Sequence, residues 1–128
     1  KKIVIANELA SLTGYASELS DAVSRLKKTT KALLTAMQTQ NIDLALSNSV
    51  KYLELFGHVI IVWLWLKQGI VATRALTKQP HEDDQAFYQG KVQVLKYFYR
   101  FELPKIYKWS TLLINMDSTC IDMDPRWF

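Results

Sequence analysis

Residues 9–37 read LASLTGYASELSDAVSRLKKTTKALLTAM. Apolar or small residues recur along this stretch at alternating steps of three and four, namely Leu9, Leu12, Ala16, Leu19, Val23, Leu26, Thr30, Leu33 and Met37. Such spacing, kept for about four heptads, predicts a long helix with one apolar seam facing a partner. We expect this helix to run from about Ala6 to Gln38.

The next periodic stretch is apolar over much more of its circumference. One stripe consists of Leu46, Val50, Leu53, Gly57, Ile60 and Leu64, and a second consists of Ala45, Tyr52, Phe56, Val59, Trp63, Leu66 and Ile70. These stripes predict one helix from about Ile42 to Lys78 that is covered on more than one side. Its apolar core, Leu55–Leu66, would reach about 18 Å as a helix, short of a roughly 30 Å hydrocarbon layer, which favours a buried helix over a membrane span.

A third helix follows the break at Gln79-Pro80. Three carboxylates, Glu82, Asp83 and Asp84, suit a helix N-terminus, and Pro104 should kink or break the helix that begins near Asp84. Phe87, Val94, Phe98 and Phe101 are expected on its buried face, and helical spacing resumes after Pro104 up to about Met116. The fold class is therefore an all-α antiparallel up-down-up bundle of three long helices, the last kinked at Pro104 into a fourth segment, with an ordered C-terminal tail.

Length and composition are those of one globular domain, residues 1–128. The chain has 49% hydrophobic and 22% charged residues and a net charge of +4, which excludes disordered and collagen-like proteins. The only cysteine, Cys120, cannot form an internal disulfide, which fits a reducing compartment, and we interpret it as a buried structural thiol. Because the first residue is Lys1, we expect the chain to be part of a longer protein.

Residue patterns give little sign of catalytic chemistry. The two histidines, His58 and His81, do not occur in the repeated Glu-x-x-His motifs of a di-metal bundle, and the four glycines form no phosphate-binding loop. The lysines and arginines that alternate with aromatic residues between Phe87 and Trp109 point in separate directions on a helix, which favours a solvated rim over a nucleic-acid surface. We predict no catalytic, cofactor-binding or metal-binding residue within the chain.

Two charges, Lys91 and Glu102, fall within the predicted apolar face of the third helix. A buried charge is costly unless it is paired. We therefore expect Glu102 to accept a hydrogen bond from His58 or Arg25, and Lys91 to pair with Glu8. The alternative for Lys91 is that its stem lies on the core while its ammonium group reaches water.

Several separated motifs resemble the helical extra domain at the C-terminus of some bacterial acyl-CoA dehydrogenases. In chain order they are Leu55-Phe56-Gly57-His58-Val59, Trp63-Leu64-Trp65, Phe87-Tyr88-Gln89-Gly90-Lys91, Tyr97-Phe98-Tyr99-Arg100-Phe101-Glu102-Leu103-Pro104, Asp117-Ser118-Thr119-Cys120-Ile121-Asp122-Met123 and Trp127-Phe128. The resemblance covers about residues 44–128 and includes enzymes of the 3-methylmercaptopropionyl-CoA dehydrogenase type. It implies an FAD-dependent parent enzyme of fatty-acid β-oxidation or related acyl-CoA oxidation in the bacterial cytoplasm. Its catalytic glutamate and flavin-binding segments would precede this region.

The resemblance also implies a role for the domain itself. We expect it to pack on the catalytic body or on a neighbouring subunit, thereby supporting oligomerisation, and not to be catalytic. An exposed Phe56, Trp63 or Trp65 would mark the docking face. Two alternatives stay open: a free-standing helical interaction module without enzymatic function, and a bundle that itself binds acyl-CoA.

Overall fold

The computed structural model describes the backbone of residues 2–39 and 41–128, and the side chains of residues 10–39 and 41–128. Its α-helices are α1 (Lys2–Gln38), α2 (Ile42–Leu46), α3 (Ser49–Thr77), α4 (Glu82–Tyr97) and α5 (Lys105–Ile114). A π-helix, Phe98–Glu102, follows α4 directly, and a short 3₁₀-helix, Pro125–Trp127, lies near the C-terminus. This arrangement confirms the all-α bundle. The predicted single helix over Ile42–Lys78 is instead broken at Ser47-Asn48 into α2 and α3.

Helix α3 lies at the centre of the bundle, with α1, α4 and α5 packed against it. Its buried side chains are Leu55, Val59, Val62, Leu66, Gly69, Ala72, Thr73 and Leu76. Leu55, Val59, Val62 and Leu66 face the main core, in which Leu95 and Tyr99 meet Ile106 and Leu113, whereas Ala72 and Leu76 pack with Val92 in a second cluster. Contacts with three helices agree with the expectation of a helix covered on more than one side, although part of its surface stays exposed.

Helix α1 presents a face slightly rotated from its predicted seam. Leu12, Leu19, Leu26 and Leu33 pack on or around the core as expected. Val23 also packs against the core, as predicted. The most buried positions beside this seam are Ala22, Thr29 and Ala36, whereas the predicted Met37 is exposed. The rotation arises because α1 contacts α3 and α5 at once, so its buried face is centred between the two.

The π-helix changes the phase of the third helical segment before Pro104. The Leu103 N–H donates to the Phe98 carbonyl at 2.8 Å, an i to i+5 bond that accommodates one extra residue in the turn. The buried positions become Val92, Leu95, Tyr99, Leu103 and Ile106, whereas Phe87 and Phe101 are about 60% exposed. The prediction that Phe87 and Phe101 are buried is therefore wrong, while the predicted bend at Pro104 is confirmed.

Polar contacts connect α1 to its two neighbours inside the bundle. The buried Ser110 hydroxyl lies 2.7 Å from Thr29 Oγ1, which itself donates to the Arg25 carbonyl. The Tyr52 hydroxyl lies 2.7 Å from Thr30 Oγ1. Because buried hydroxyls must be paired, these bonds favour one register of α1 against α3 and α5.

The C-terminal tail folds back toward the start of α3. The Asn48 side-chain amide donates to the Asp117 carbonyl at 2.8 Å, and Asp124 caps the short helix that contains Arg126. Cys120 lies in this tail and is exposed, so the prediction of a buried thiol is wrong. The surrounding turns place Cys120 on the surface rather than in the core.

By length and composition alone, Ser49–Thr77 could cross a membrane. At 29 residues it would extend roughly 43 Å, far longer than its uninterrupted apolar run. The core helix of a soluble bundle satisfies the same criterion, and α3 packs against three other helices of this chain.

Two glycines of α3 provide a matched test of this packing. A Cβ at Gly69 would overlap the fully buried Leu95 side chain, whereas a Cβ at Gly57 would meet nothing within 4 Å. We expect Gly69→Ala to lower the free energy of unfolding by about 1–3 kcal/mol through overpacking. Gly57→Ala should raise it by up to about 1 kcal/mol through helix propensity. Urea unfolding of both variants measures the difference, and equal effects would contradict the packing described.

Candidate functional site

From Val50 to Leu64, the side of α3 that faces away from the bundle is mostly apolar, and Lys67 and Gln68 separate this part from Val71. We call it the outer face of α3; its exposed large side chains are Val50, Leu53, Phe56, Ile60, Ile61, Trp63, Leu64 and Val71. At 100° per residue they occupy one broad strip along the helix. Leu53 is 68% and Trp63 45% exposed, and a continuous apolar strip of this kind is typical of an interaction surface.

Of the three aromatic residues predicted to mark a docking face, two lie on this strip. Phe56 and Trp63 are both exposed on the outer face of α3. Trp65 is partly buried and stacks on Phe98 with ring centroids 5.6 Å apart. Trp65 therefore belongs to the packing between α3 and the π-helix, because two residues along a helix rotate its side chain by about 200° from Trp63.

The structure brings His58 and Glu102 together at the junction of α3 and the π-helix. His58 Nε2 lies 3.2 Å from Glu102 Oε2, and His58 Nδ1 lies 3.1 Å from the Glu54 carbonyl oxygen. Both neighbouring atoms are acceptors, so only the imidazolium form can donate to both at once. Their side chains are 26% and 20% exposed, which makes this a shielded contact rather than a fully buried one.

Glu102 has a second partner, the ammonium group of Lys105. Lys105 Nζ lies 2.9 Å from the same oxygen, Oε2. The hydrogen bond from Lys105, and next the one from His58, hold the pKa of Glu102 below its ordinary value, and Glu102 in turn raises the pKa of Lys105. The cluster thus connects α3 to the π-helix and to the start of α5 across the bend at Pro104.

An aromatic ring closes the other side of His58. Trp109 meets the imidazole edge-on with centroids 4.7 Å apart, and the ammonium group of Lys51 lies 5.6 Å from the Trp109 ring centroid. Both ring nitrogens of His58 and Oε2 of Glu102 are bonded to groups of the same chain, which is the geometry of a structural clamp. Among the residues the structure describes, no three histidine, cysteine, aspartate or glutamate side chains are grouped to hold a metal ion.

Arg25, the other predicted partner of Glu102, lies elsewhere in the bundle. Its guanidinium donates to Thr111 Oγ1 at 3.1 Å and lies 5.9 Å from the Tyr107 ring centroid. The contact therefore connects α1 to α5, and Glu102 is not its acceptor.

Lys91 contacts aromatic rings of α3 and α4. Its ammonium group lies 5.3 Å from the ring centroids of both Trp65 and Phe87. The side chain of Glu8, its predicted partner, lies outside the described residues. A groove beside α1 is instead lined by Gln93 and Lys96 of α4 and by Arg100 of the π-helix.

That groove between α1 and α4 has a volume of about 530 Å³. Tyr15 and Tyr99 line it with ring centroids 4.5 Å apart. The buried Tyr99 hydroxyl has no hydrogen-bond partner among the described groups. Burial, and next the Glu18 carboxylate, raise the pKa of Tyr99, so the phenol stays protonated. Tyr99 follows the buried Leu95 by one helical turn, but the hydrophobic spacing predicts the buried face of this helix on the other side.

Glu102 gives the stability of the chain a specific pH dependence. Because its pKa is lower in the folded than in the unfolded chain, its contribution is present above the ordinary carboxyl pKa and is lost as the pH falls through the folded pKa. We expect Glu102→Gln to be less stable than the parent chain at pH 7, with the difference shrinking from about pH 5 downward. Thermal unfolding from pH 3 to 7 measures this. Glu18→Gln is the control, since no hydrogen bond from Glu18 to another described side chain is seen; a constant difference for Glu102→Gln would contradict the clamp.

Two tyrosines differ in whether their buried hydroxyls are paired. The hydroxyl of Tyr52 meets Thr30, whereas that of Tyr99 has no described partner. We expect Tyr52→Phe to lower the free energy of unfolding by about 1 kcal/mol, and Tyr99→Phe to leave it unchanged or raise it by up to about 1 kcal/mol. Chemical denaturation of the two variants under one condition tests this, and a loss at Tyr99 as large as at Tyr52 would reveal a partner for its hydroxyl.

The comparisons with known proteins agree with this helical arrangement. The sequence profile of the family described as "Acetyl-CoA dehydrogenase C-terminal like" matches residues 2–124. The broad-specificity linear acyl-CoA dehydrogenase FadE5 of Mycobacterium tuberculosis is 32% identical to this chain over 80 residues. Those residues are 62% of this chain and 13% of the relative, so the chain spans only a small part of that protein's length. Because the family profile covers nearly the whole sequence, the chain belongs to the acetyl-CoA dehydrogenase C-terminal-like family.

Proposed function

We propose that this chain is the non-catalytic C-terminal domain of a longer, FAD-dependent acyl-CoA dehydrogenase of the bacterial cytoplasm. In the full-length protein it packs through the outer face of α3 onto the catalytic body. The observation that carries this proposal is the strip of eight large apolar side chains left exposed on a helix whose other side forms the core. Covering such a strip removes apolar area from water, which is the main favourable term in stable association.

The chemistry of the parent enzyme is assigned to segments outside this chain. FAD, when bound there, accepts the hydride removed from the acyl-CoA substrate. The groove beside Tyr99, and a second groove between α3 and α4 beside Val71, are both lined by helical residues. The main-chain N–H groups of such residues are used within the helices and are not free to cradle a pyrophosphate. We therefore assign no residue of this chain to FAD.

Glu102 also receives a structural rather than a catalytic role. Its carboxylate accepts from both His58 and Lys105, which holds it in the charged form and in one orientation. A general base must approach the proton that it removes. Here the carboxylate of Glu102 is instead bonded to His58 and Lys105 of the same chain. We assign to Glu102 the role of connecting α3 to α5, which keeps the outer face of α3 in one position.

A charged substitution within the outer face tests the docking role in the full-length protein. We expect Leu64→Asp to detach the domain, because a carboxylate would be buried without a partner at the interface. The separated domain should then unfold in its own thermal transition, and limited proteolysis should release it at least ten times faster. Leu34→Asp is the matched control, since Leu34 is an exposed leucine of α1 away from the outer face.

The same preparations test the non-catalytic assignment. We expect Glu102→Gln in the full-length enzyme to keep its kcat per bound flavin within about threefold, because the chemical step does not use this carboxylate. A drop of several orders of magnitude in a folded, flavin-loaded protein would contradict the assignment. A Leu64→Asp protein with a single unfolding transition and unchanged proteolysis would contradict docking through α3, and would favour a free-standing interaction module.

A further inference from the structure

Two lysines interrupt the apolar surface at the edge of the outer face of α3. The Lys67 ammonium lies 4.7 Å from the Trp63 ring centroid, and Lys91 lies over Trp65 and Phe87. Together with the exposed Val71, these residues line an apolar groove of about 390 Å³ between α3 and α4. The outer face thus continues across this groove onto α4.

Neither lysine has an anionic partner among the side chains that the structure describes. The ion pairs of that part of the chain join Lys51 to Glu54, His58 to Glu102, His81 to Asp83, Lys105 to Glu102 and Arg126 to Asp124. Lys67 and Lys91 contact only aromatic rings there, and in an exposed site this is sufficient because water solvates the remaining protons of the ammonium groups.

Covering the outer face would remove the water that solvates the ammonium groups of Lys67 and Lys91. A partner that packs on Trp63 and Phe87 removes water from the two ammonium groups, and the attraction of an aromatic ring is smaller than the solvation that is lost. The covering surface must therefore supply acceptors, of which carboxylates are the strongest available from a protein.

We infer that the outer face of α3 binds an apolar protein surface that carries carboxylates opposite Lys67 and Lys91. This inference rests on the proposed function, and it places the acidic surface on the catalytic part of the same protein. The occupant is identified by charge complementarity, which selects both partner and orientation.

A second copy of this chain fits this surface poorly. In a two-fold symmetric contact the same patch meets itself, so Lys67 and Lys91 of one copy would face a patch with the same two lysines. The carboxylate of Glu54, at the border of the patch, is already bonded to Lys51 at 3.2 Å. Like charges without new carboxylates oppose self-association through this face.

Zero-length crosslinking of the full-length protein tests the inference directly. A carbodiimide joins an ammonium group only to a carboxylate in contact with it, and mass spectrometry identifies the two residues. We expect Lys67 and Lys91 to be joined to aspartate or glutamate residues outside residues 1–128. Lys27 and Lys28, exposed on α1, are the control and should give no such products. Absence of products from Lys67 and Lys91, or products confined to residues 1–128, would overturn the inference.

Charge variants separate the inference from the proposed function. We expect the double variant Lys67→Glu and Lys91→Glu to release the domain at least ten times faster in limited proteolysis, and the pair Lys67→Gln and Lys91→Gln to have a smaller effect. The matched control is Lys27→Glu with Lys28→Glu, which should change nothing. If Leu64→Asp detaches the domain while the lysine variants do not, docking stands and the acidic partner is wrong; if neither does, both proposals are wrong.

Two further outcomes would identify a different occupant and overturn the inference. Mixed isotope-labelled and unlabelled protein would give crosslinks between copies if a second chain covers the face. Cosedimentation of the full-length protein with vesicles of anionic phosphatidylglycerol, lost in the double variant Lys67→Glu and Lys91→Glu, would identify a lipid surface. We expect neither.

Discussion

Helix α3 is apolar around its circumference, and this constraint determines the arrangement of the rest of the molecule. A helix of this kind is stable in water only if other surfaces cover it. Within the chain, α1, α4 and α5 cover the side that contains Leu55, Val62 and Leu66. The opposite side, from Val50 to Val71, carries large exposed apolar side chains, and it is the surface through which we propose that the domain docks.

The π-helix before Pro104 sets how α4 and α5 fit against α3. Proline lacks the N–H group that a continuous α-helix would need at that point, and the wider turn ends in the bond from Leu103 to Phe98. Beside this turn, Tyr99 and Leu103 lie in the core and Glu102 lies next to His58. The charged cluster thus occupies the bend, where the helical hydrogen bonds are interrupted and side chains can connect the two segments.

The sequence is sufficient to predict the helices and the bend, but not the phase of each buried face. Hydrophobic spacing places Leu12, Leu19, Leu26 and Leu33 correctly because these residues are apolar and evenly spaced. It misses Thr29 and Ser110, which are fully buried because each satisfies the other's hydroxyl. It also assigns Phe87 and Phe101 to the core, whereas the buried face of this segment lies on the other side of the helix, along Val92, Leu95 and Tyr99.

For the candidate site, too, the sequence predicts some contacts but not the orientation of each side chain. The sequence predicts the pairing of His58 and Glu102, which lie at matching heights on neighbouring helices. The prediction is possible because an unpaired charge is costly in a core. Which of the tryptophans Trp63 and Trp65 faces outward depends on the rotation of α3, and that rotation is set by its neighbours. Sequence alone therefore identifies candidate aromatic residues but not which are exposed: Phe56 and Trp63 are, whereas Trp65 packs on Phe98.

The polar contacts inside the bundle also fix the orientation of the outer face of α3. Apolar side chains alone would let α3 rotate or slide at little cost, because many apolar packings have similar energies. The bonds from Tyr52 to Thr30 and from His58 to Glu102 are satisfied in only one rotation and one height of α3. They therefore hold the outer face in a single shape before any partner arrives. A surface ordered in advance loses less conformational entropy on association, so these polar contacts favour the docking that we propose for the outer face.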